Sequence, residues 1–222
     1  MAIRCIICDF GGVLTTPLVG SFMAFQDQTG IPAEALGTAM GRIYERDGAH
    51  PLYELEKGRV TEQDFLGQLR GELALDLGHE PELHDFKGIY FKALNPNHEM
   101  IAEMRAARDA GFRMALLTNN VREWEPLWRA MLPVDEIFEL VVDSAFVGMR
   151  KPEPEIYHLT LDRIREHDPA ELGDLDYSDC LFIDDFEANC AAASELGINA
   201  VRFESNEQAI GEVRAALGTA AP

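Results

Sequence analysis

The chain is short of positive charge. Nineteen basic residues face thirty-nine acidic ones, a formal net charge of -20 over 222 residues. A surface of that sign repels phosphate backbones and anionic headgroups, which excludes a nucleic-acid binder and a membrane-surface protein. Lysine is the scarcest cation: Lys57, Lys87, Lys92 and Lys151 stand against fifteen arginines. A lysine among other polar residues is therefore worth following. Long apolar runs are also missing. Nothing approaches a membrane span, and the opening MAIRCIICDF lacks the hydrophobic length of a signal peptide, so a cytoplasmic protein is expected. Cysteine is limited to Cys5, Cys8, Cys180 and Cys190, three in strand-like runs and the last in an alanine-rich helical run. Buried free thiols in a reducing compartment follow. Cys5-x-x-Cys8 has the spacing of a metal or redox pair, but residues three apart in a strand point to opposite faces.

What is present is an ordinary globular composition, 47% hydrophobic and 26% charged, long enough for one core or a core plus a smaller module. Apolar runs of strand length recur at Ile3–Cys8, Arg113–Leu117, Leu140–Val142, Cys180–Ile183 and Ala200–Phe203. Helical patterns separate them. Asn97 is placed to cap a helix that Gly111 stops, Arg122–Met131 carries Trp124 and Trp128 one turn apart, Pro152 and Pro154 open another, and Phe186–Leu196 closes at Gly197. Short apolar strands alternating with helices predict a parallel sheet covered on both faces. Between the first two strands the pattern is helical only. Thr61-Glu62-Gln63-Asp64 resembles a capping box, followed by Phe65, Leu66, Leu69, Leu73 and Leu77 at helical spacing. Roughly seventy residues is far more than the dozen or so a βαβ crossover needs. An all-helical insert over 17–86 is expected in an α/β core made of 1–16 and 87–222, with 87–96 as return linker. The tail Gly218–Pro222 is expected to fray.

In an open parallel sheet, ligands bind at the carboxyl ends of the strands. The first run ends at Asp9-Phe10-Gly11-Gly12, the second at Thr118-Asn119-Asn120, and the fourth at Asp184-Asp185, with Arg150-Lys151-Pro152 after the third. Each alone reads as turn or cap chemistry. Together they put three carboxylates, a hydroxyl, a lysine and free backbone N–H groups on one rim. Three close carboxylates favour a hard cation, most simply Mg²⁺. Thr118 and the N–H groups beyond it suit an anionic oxygen, Lys151 can neutralise another, and Asp9 is free to attack phosphorus.

Asp9-Phe10-Gly11-Gly12-Val13-Leu14, Leu117-Thr118-Asn119, Lys151-Pro152-Glu153-Pro154-Glu155-Ile156-Tyr157 and Phe182-Ile183-Asp184-Asp185 with Asn189 resemble, in order and spacing, the four motifs of the haloacid dehalogenase-like superfamily. The resemblance spans residues 3 to about 205 and lies nearest the subgroup that contains the phosphatase domain of soluble epoxide hydrolase. It implies a Rossmann-like core with a type 1 helical cap, acting as a Mg²⁺-dependent hydrolase on a small phosphorylated metabolite. By motif, Asp9 is the nucleophile and a metal ligand. The Gly11 carbonyl and Asp185 are further metal ligands, and Asp184 orients metal water or Lys151. Gly12, Thr118 and Asn119 bind phosphate, and Asn189 supports the fourth motif. The oligomeric state, monomer or homodimer, stays open.

One position departs from the pattern. The family's second aspartate, the general acid and base, is Gly11 here. Such assistance contributes about 10²–10⁴-fold. A phosphatase would then need a good leaving group. A 2-haloacid dehalogenase needs no leaving-group proton, but its members resemble Asp-x-Tyr and lack the aspartate pair. Phosphonate-cleaving members use a cap lysine, and Lys57, before Gly58, reads as an exposed turn residue. A weakly active ligand-binding module is the reading from a different class. In the insert, Arg42, Tyr44, Arg46, His50 and Tyr53 are candidates for substrate contact, with Arg42 and Arg46 suited to a phosphate.

Overall fold

The computed structural model describes residues 2–17, 19–83 and 85–218, so the expected tail fraying lies outside it beyond Gly218. Five strands form the sheet: β1 (Cys5–Cys8), β2 (Arg113–Thr118), β3 (Leu140–Asp143), β4 (Cys180–Asp184) and β5 (Asn199–Arg202). All pair in parallel, in the order β3-β2-β1-β4-β5. The five apolar runs become these strands because each is too short for a helix; β1, β2 and β4 are buried almost throughout, while the edge strand β5 leaves Asn199 and Arg202 exposed. Alternation divides them between two cores. Ile6 and Cys8 face one, and Cys5 and Ile7 face the other. The cysteine pair is therefore split by the sheet, and all four thiols are free and buried.

Helices α6 (His98–Asp109) and α13 (Asn206–Leu217) cover the first face through Met100, Met104 and Val213. Helices α10 (Pro154–His167) and α12 (Glu187–Glu195) cover the second through Ile156, Tyr157, Leu161 and Ala193. Asn97 caps α6 as its position suggests, accepting the Met100 N–H at 3.5 Å. The segment after β2 is not one helix. A 3₁₀ turn at Arg122–Trp124 precedes α7 (Glu125–Met131), because Pro126 has no N–H to continue a helix from upstream. Short helices α8 (Val134–Ile137), α9 (Ser144–Val147) and α11 (Pro169–Leu172) complete the core, and the Lys151–Pro152 peptide is cis.

Between β1 and β2 the chain forms α1 (Val19–Thr29), α2 (Ala33–Asp47), α3 (Pro51–Glu56), α4 (Glu62–Leu77) and α5 (Phe86–Ala93). The Thr61 capping box is present, with Asp64 as its reciprocal partner. The return linker expected at 87–96 is mostly helix. Phe86, Ile89, Tyr90 and Phe91 make it apolar: α5 packs on α1, with the Phe25 and Phe86 rings 5.0 Å apart, and sets Tyr90 and Phe91 against Trp124. The insert leaves and rejoins the core at a two-stranded neck. There Thr15 bridges Pro96, the Thr16 N–H donates to Asn95 O, and the Asn97 N–H donates to Leu14 O, both at 2.8 Å. No helix among the described residues is long and apolar enough to cross a membrane.

Candidate active site

Parallel register brings the polar strand ends to one rim. Cys8 pairs with Leu116 on one side and Ile183 on the other, so Asp9, Thr118 and Asp184 emerge side by side. Lys151 reaches them from the loop before α10 and is fully buried. Its Nζ lies 2.7 Å from Asp9 Oδ1 and 2.6 Å from Asp184 Oδ2, and donates to Leu117 O at 2.9 Å. All three ammonium directions are thus used within the protein. Burial disfavours the Lys151 charge, but Asp184 and Asp9 outweigh this and hold it above the ordinary lysine value.

The three aspartates differ in how much of each carboxylate is committed. Asp184 Oδ1 accepts from the Phe186 N–H at 2.8 Å and from Asn189 Nδ2 at 2.9 Å, while Oδ2 takes Lys151. Asn189 is steadied in turn by Tyr157, whose hydroxyl donates to its carbonyl at 2.9 Å. Asp185 is half-buried and packs against Gly12. Gly12 sits at φ 79°, and a Cβ there would lie 2.2 Å from Asp185 Oδ2, so both conformation and space require glycine. Burial pushes the Asp9 carboxyl up to about 7 against the pull of Lys151, with Asp184 and Asp185 adding to the rise. Asp185 is raised by burial and then by Asp184. Oxygens of Asp9, Asp184 and Asp185 approach within 4.8 Å of one another. One ammonium facing three carboxylates leaves a deficit of positive charge, and an all-oxygen donor set matches a hard divalent cation.

Thr118 is buried at the end of β2. The Asn119 side chain is occupied: its Nδ2 donates to Lys151 O at 3.0 Å and its Oδ1 accepts the Lys151 N–H at 2.9 Å. It clamps the lysine loop, a role that motif position alone does not reveal. The Gly12 N–H is likewise used, donating to Thr15 Oγ1 at 3.1 Å. Arg42 and Arg46 are not brought to the rim. Arg42 pairs with Glu72 at 3.1 Å and Asp76 at 2.7 Å, and Arg46 with Asp47 at 2.8 Å and Glu72 at 2.7 Å, which ties α2 to the acidic face of α4. Tyr44 and Tyr53 are exposed, and His50 stacks on Tyr53. Lys57, expected in an exposed turn, has a largely covered side chain ion-paired with Glu153 of the core.

Sequence reasoning missed the space beyond the rim. A cavity of about 260 Å³ lies between insert and core, with Gly11, Thr118 and Asn119 at its polar end. Glu56, Tyr90, Trp124 and Trp128 also line it. Their only signal was a surplus of apolar residues at helical spacing, which reads equally as core packing.

A parallel α/β sheet with this acidic rim is the arrangement that the four motifs imply. The family model for haloacid dehalogenase-like hydrolases matches residues 3–197, and the chain belongs to that family. It is 26% identical to bifunctional epoxide hydrolase 2 of Mus musculus over 237 residues, covering all of this chain but 40% of that protein. The chain thus spans two fifths of that relative's length. It is 25% identical to sesquiterpene phosphatase astK of Aspergillus oryzae over 223 residues, covering 96% of this chain and 95% of that one. The fold is shared with a family enzyme of Bacteroides thetaiotaomicron solved with magnesium and inorganic phosphate, at TM-score 0.61 and 22% identity over 90% of this chain and 94% of that one.

Proposed function

We propose that this protein is a Mg²⁺-dependent phosphatase that cleaves a small phosphate monoester through an aspartyl-phosphate on Asp9. The carrying observation is the Asp9 carboxylate, held 2.7 Å from the Lys151 ammonium, in a chain whose next residues, Phe10 and Gly11, line a cavity together with Thr118. An Asp9 oxygen attacks phosphorus and the ester oxygen leaves with the bonding pair. Water then cleaves the acyl phosphate and restores the carboxylate. Lys151 fixes the attacking carboxylate and supplies positive charge beside it. Thr118 and the backbone beyond it receive phosphoryl oxygens. Asp9, Asp185 and the Gly11 carbonyl would hold Mg²⁺, with Asp184 behind them. The ion would supply charge neutralisation for the carboxylates and the phosphoryl group. Asp184, with both oxygens engaged, serves mainly to aim Lys151.

The dehalogenase alternative draws on Gly11, since halide needs no proton. The clustered Asp184 and Asp185 weigh against it, because a metal-free displacement has no use for three crowded carboxylates. The test is phosphate release from acetyl phosphate and phenyl phosphate. We expect Mg²⁺-dependent release that Asp9→Asn and EDTA each reduce by at least about a thousandfold. Release unchanged in either condition, or chloride release from 2-chloropropionate without metal, overturns the reading.

A further inference from the structure

The cavity beyond the rim has a chemistry of its own. Its insert wall includes Met40, Phe65 and Leu69, and its other wall Phe91, Trp124 and Trp128. Glu56 is the one charged side chain lining it among the described residues, and its Oε2 already accepts from Arg150 Nε at 2.7 Å. The Trp124 indole N–H is spent on Glu62 at 2.8 Å. Buried Trp128 Nε1 has no hydrogen-bond partner among the described residues. The chamber therefore offers mainly apolar surface and no uncompensated charge; beyond Thr118 and Asn119 its polar groups are Glu56, the Tyr90 hydroxyl, the Asn120 amide and the Trp128 indole N–H.

We propose that this chamber holds the leaving group, and that the substrate is the phosphate monoester of an uncharged, apolar hydroxyl compound acidic enough to leave unassisted, such as a phenol or an enol. This rests on the phosphatase reading of Asp9. A sugar brings more hydroxyls than these few polar groups can receive, and each one left against the apolar wall costs about tenfold or more in binding. An alkyl or aryl body gains by leaving water and meets seven aromatic side chains of the wall. The volume of about 260 Å³ exceeds the roughly 150 Å³ of a cavity that encloses benzene, so a six-carbon ring fits with room for a short chain. Part of the room is at the phosphate end, so a body of about six to nine carbons fits.

A series of 4-n-alkylphenyl phosphates tests this, since the leaving-group acidity stays nearly constant while length grows. With the Mg²⁺-loaded enzyme, kcat/KM should rise by up to about fourfold per methylene and level off near propyl. Glucose 6-phosphate and glycerol 3-phosphate should fall at least about a hundredfold below hexyl phosphate, an alkyl ester whose leaving group is no more acidic than theirs. Met40→Trp, at a half-buried wall position, should move the plateau to shorter chains. A second readout needs no turnover. Both tryptophans of the chain line the chamber, so their fluorescence should change saturably with octylphosphonate, more tightly than with methylphosphonate, with or without Mg²⁺. Phosphate release with no gain along the series, or a preference for the sugar ester, overturns the chamber proposal and leaves the phosphatase reading standing. No release from any ester, acetyl phosphate included, overturns the phosphatase reading. Fluorescence then decides the chamber: length-dependent saturation upholds an apolar occupant, and no change overturns it.

Discussion

Gly11 shapes the chemistry by what it lacks. It lines the cavity beside Thr118 and Asn119 and brings no side chain where the family pattern has an acid. On the phosphatase reading proposed above, the leaving group would depart with little proton assistance. Phenyl phosphate should therefore outpace cyclohexyl phosphate, a leaving group of similar size and much lower acidity, by about a hundredfold or more. Gly11→Asp should narrow that ratio at least about tenfold, and equal wild-type rates on the two esters would refute the explanation. Asp143 carries a different residue-scale consequence. Its Oδ1 accepts the Ala145 N–H at 3.0 Å, but buried Oδ2 has no partner among the described residues. Burial pushes this carboxyl up to about 6, with the Ala145 N–H pulling against it. A raised acid favours the folded state fully below its unfolded value near 3.8 and loses that advantage as pH rises through about 6. Asp143→Asn keeps the accepting oxygen and removes the charge. Its stability relative to wild type should improve by about 2–3 kcal/mol between pH 4 and pH 7, read from urea midpoints. A difference independent of pH would contradict this.

At the scale of elements, the decisive join is between the loop after α3 and the core. Arg150 pairs with Glu56 at 2.7 Å while lying 3.9 Å from the centre of the Tyr53 ring. Ser144 Oγ donates to Glu56 O at 2.6 Å, Lys57 pairs with Glu153, and a Cβ on Gly58 would meet Ala145 O at 2.2 Å. These contacts fix the insert over the rim through the residue next to Lys151. Both charged side chains of the Glu56–Arg150 pair are about one-sixth exposed or less, so breaking one leaves a largely buried charge. In a double-mutant cycle, Glu56→Gln and Arg150→Met should each destabilise, with a coupling of about 1–3 kcal/mol when combined. Strict additivity would remove the clamp from the account. The elements also show where pattern reading succeeds. Strands ending in Asp9 and Asp184 are legible because a short apolar run bounded by a polar residue has few other uses. Helix α5 reads as linker in the sequence because its eight residues include Gly88 and its apolar residues acquire meaning only against α1 and Trp124.

For the whole molecule, the charge of -20 becomes a condition on catalysis. The phosphorylated substrate proposed above would have to approach an acidic surface, and Lys151, the nearest cation of the rim, is buried and fully hydrogen-bonded. Screening should help. Between about 0.01 and 0.15 M inert salt, kcat/KM for an anionic ester should rise about two- to threefold. A clear fall would mean that the field at the cavity mouth is already positive. An apolar leaving group fits this setting, because its burial supplies binding that owes nothing to charge.

The sequence by itself determined the parallel sheet, the helical insert and the rim residues Asp9, Thr118, Lys151, Asp184 and Asp185. Strand periodicity and the rule that ligands sit at strand ends depend on order along the chain. It did not determine how those side chains are spent. That Asn119 grips Lys151 rather than standing free, that Arg42 and Arg46 bind α4 rather than face the rim, and that apolar residues from five helices enclose an empty volume rather than a solid core are facts of long-range packing. Periodicity tells which face of a helix leaves water, but only tertiary structure decides whether that face meets another side chain or a space left for a ligand.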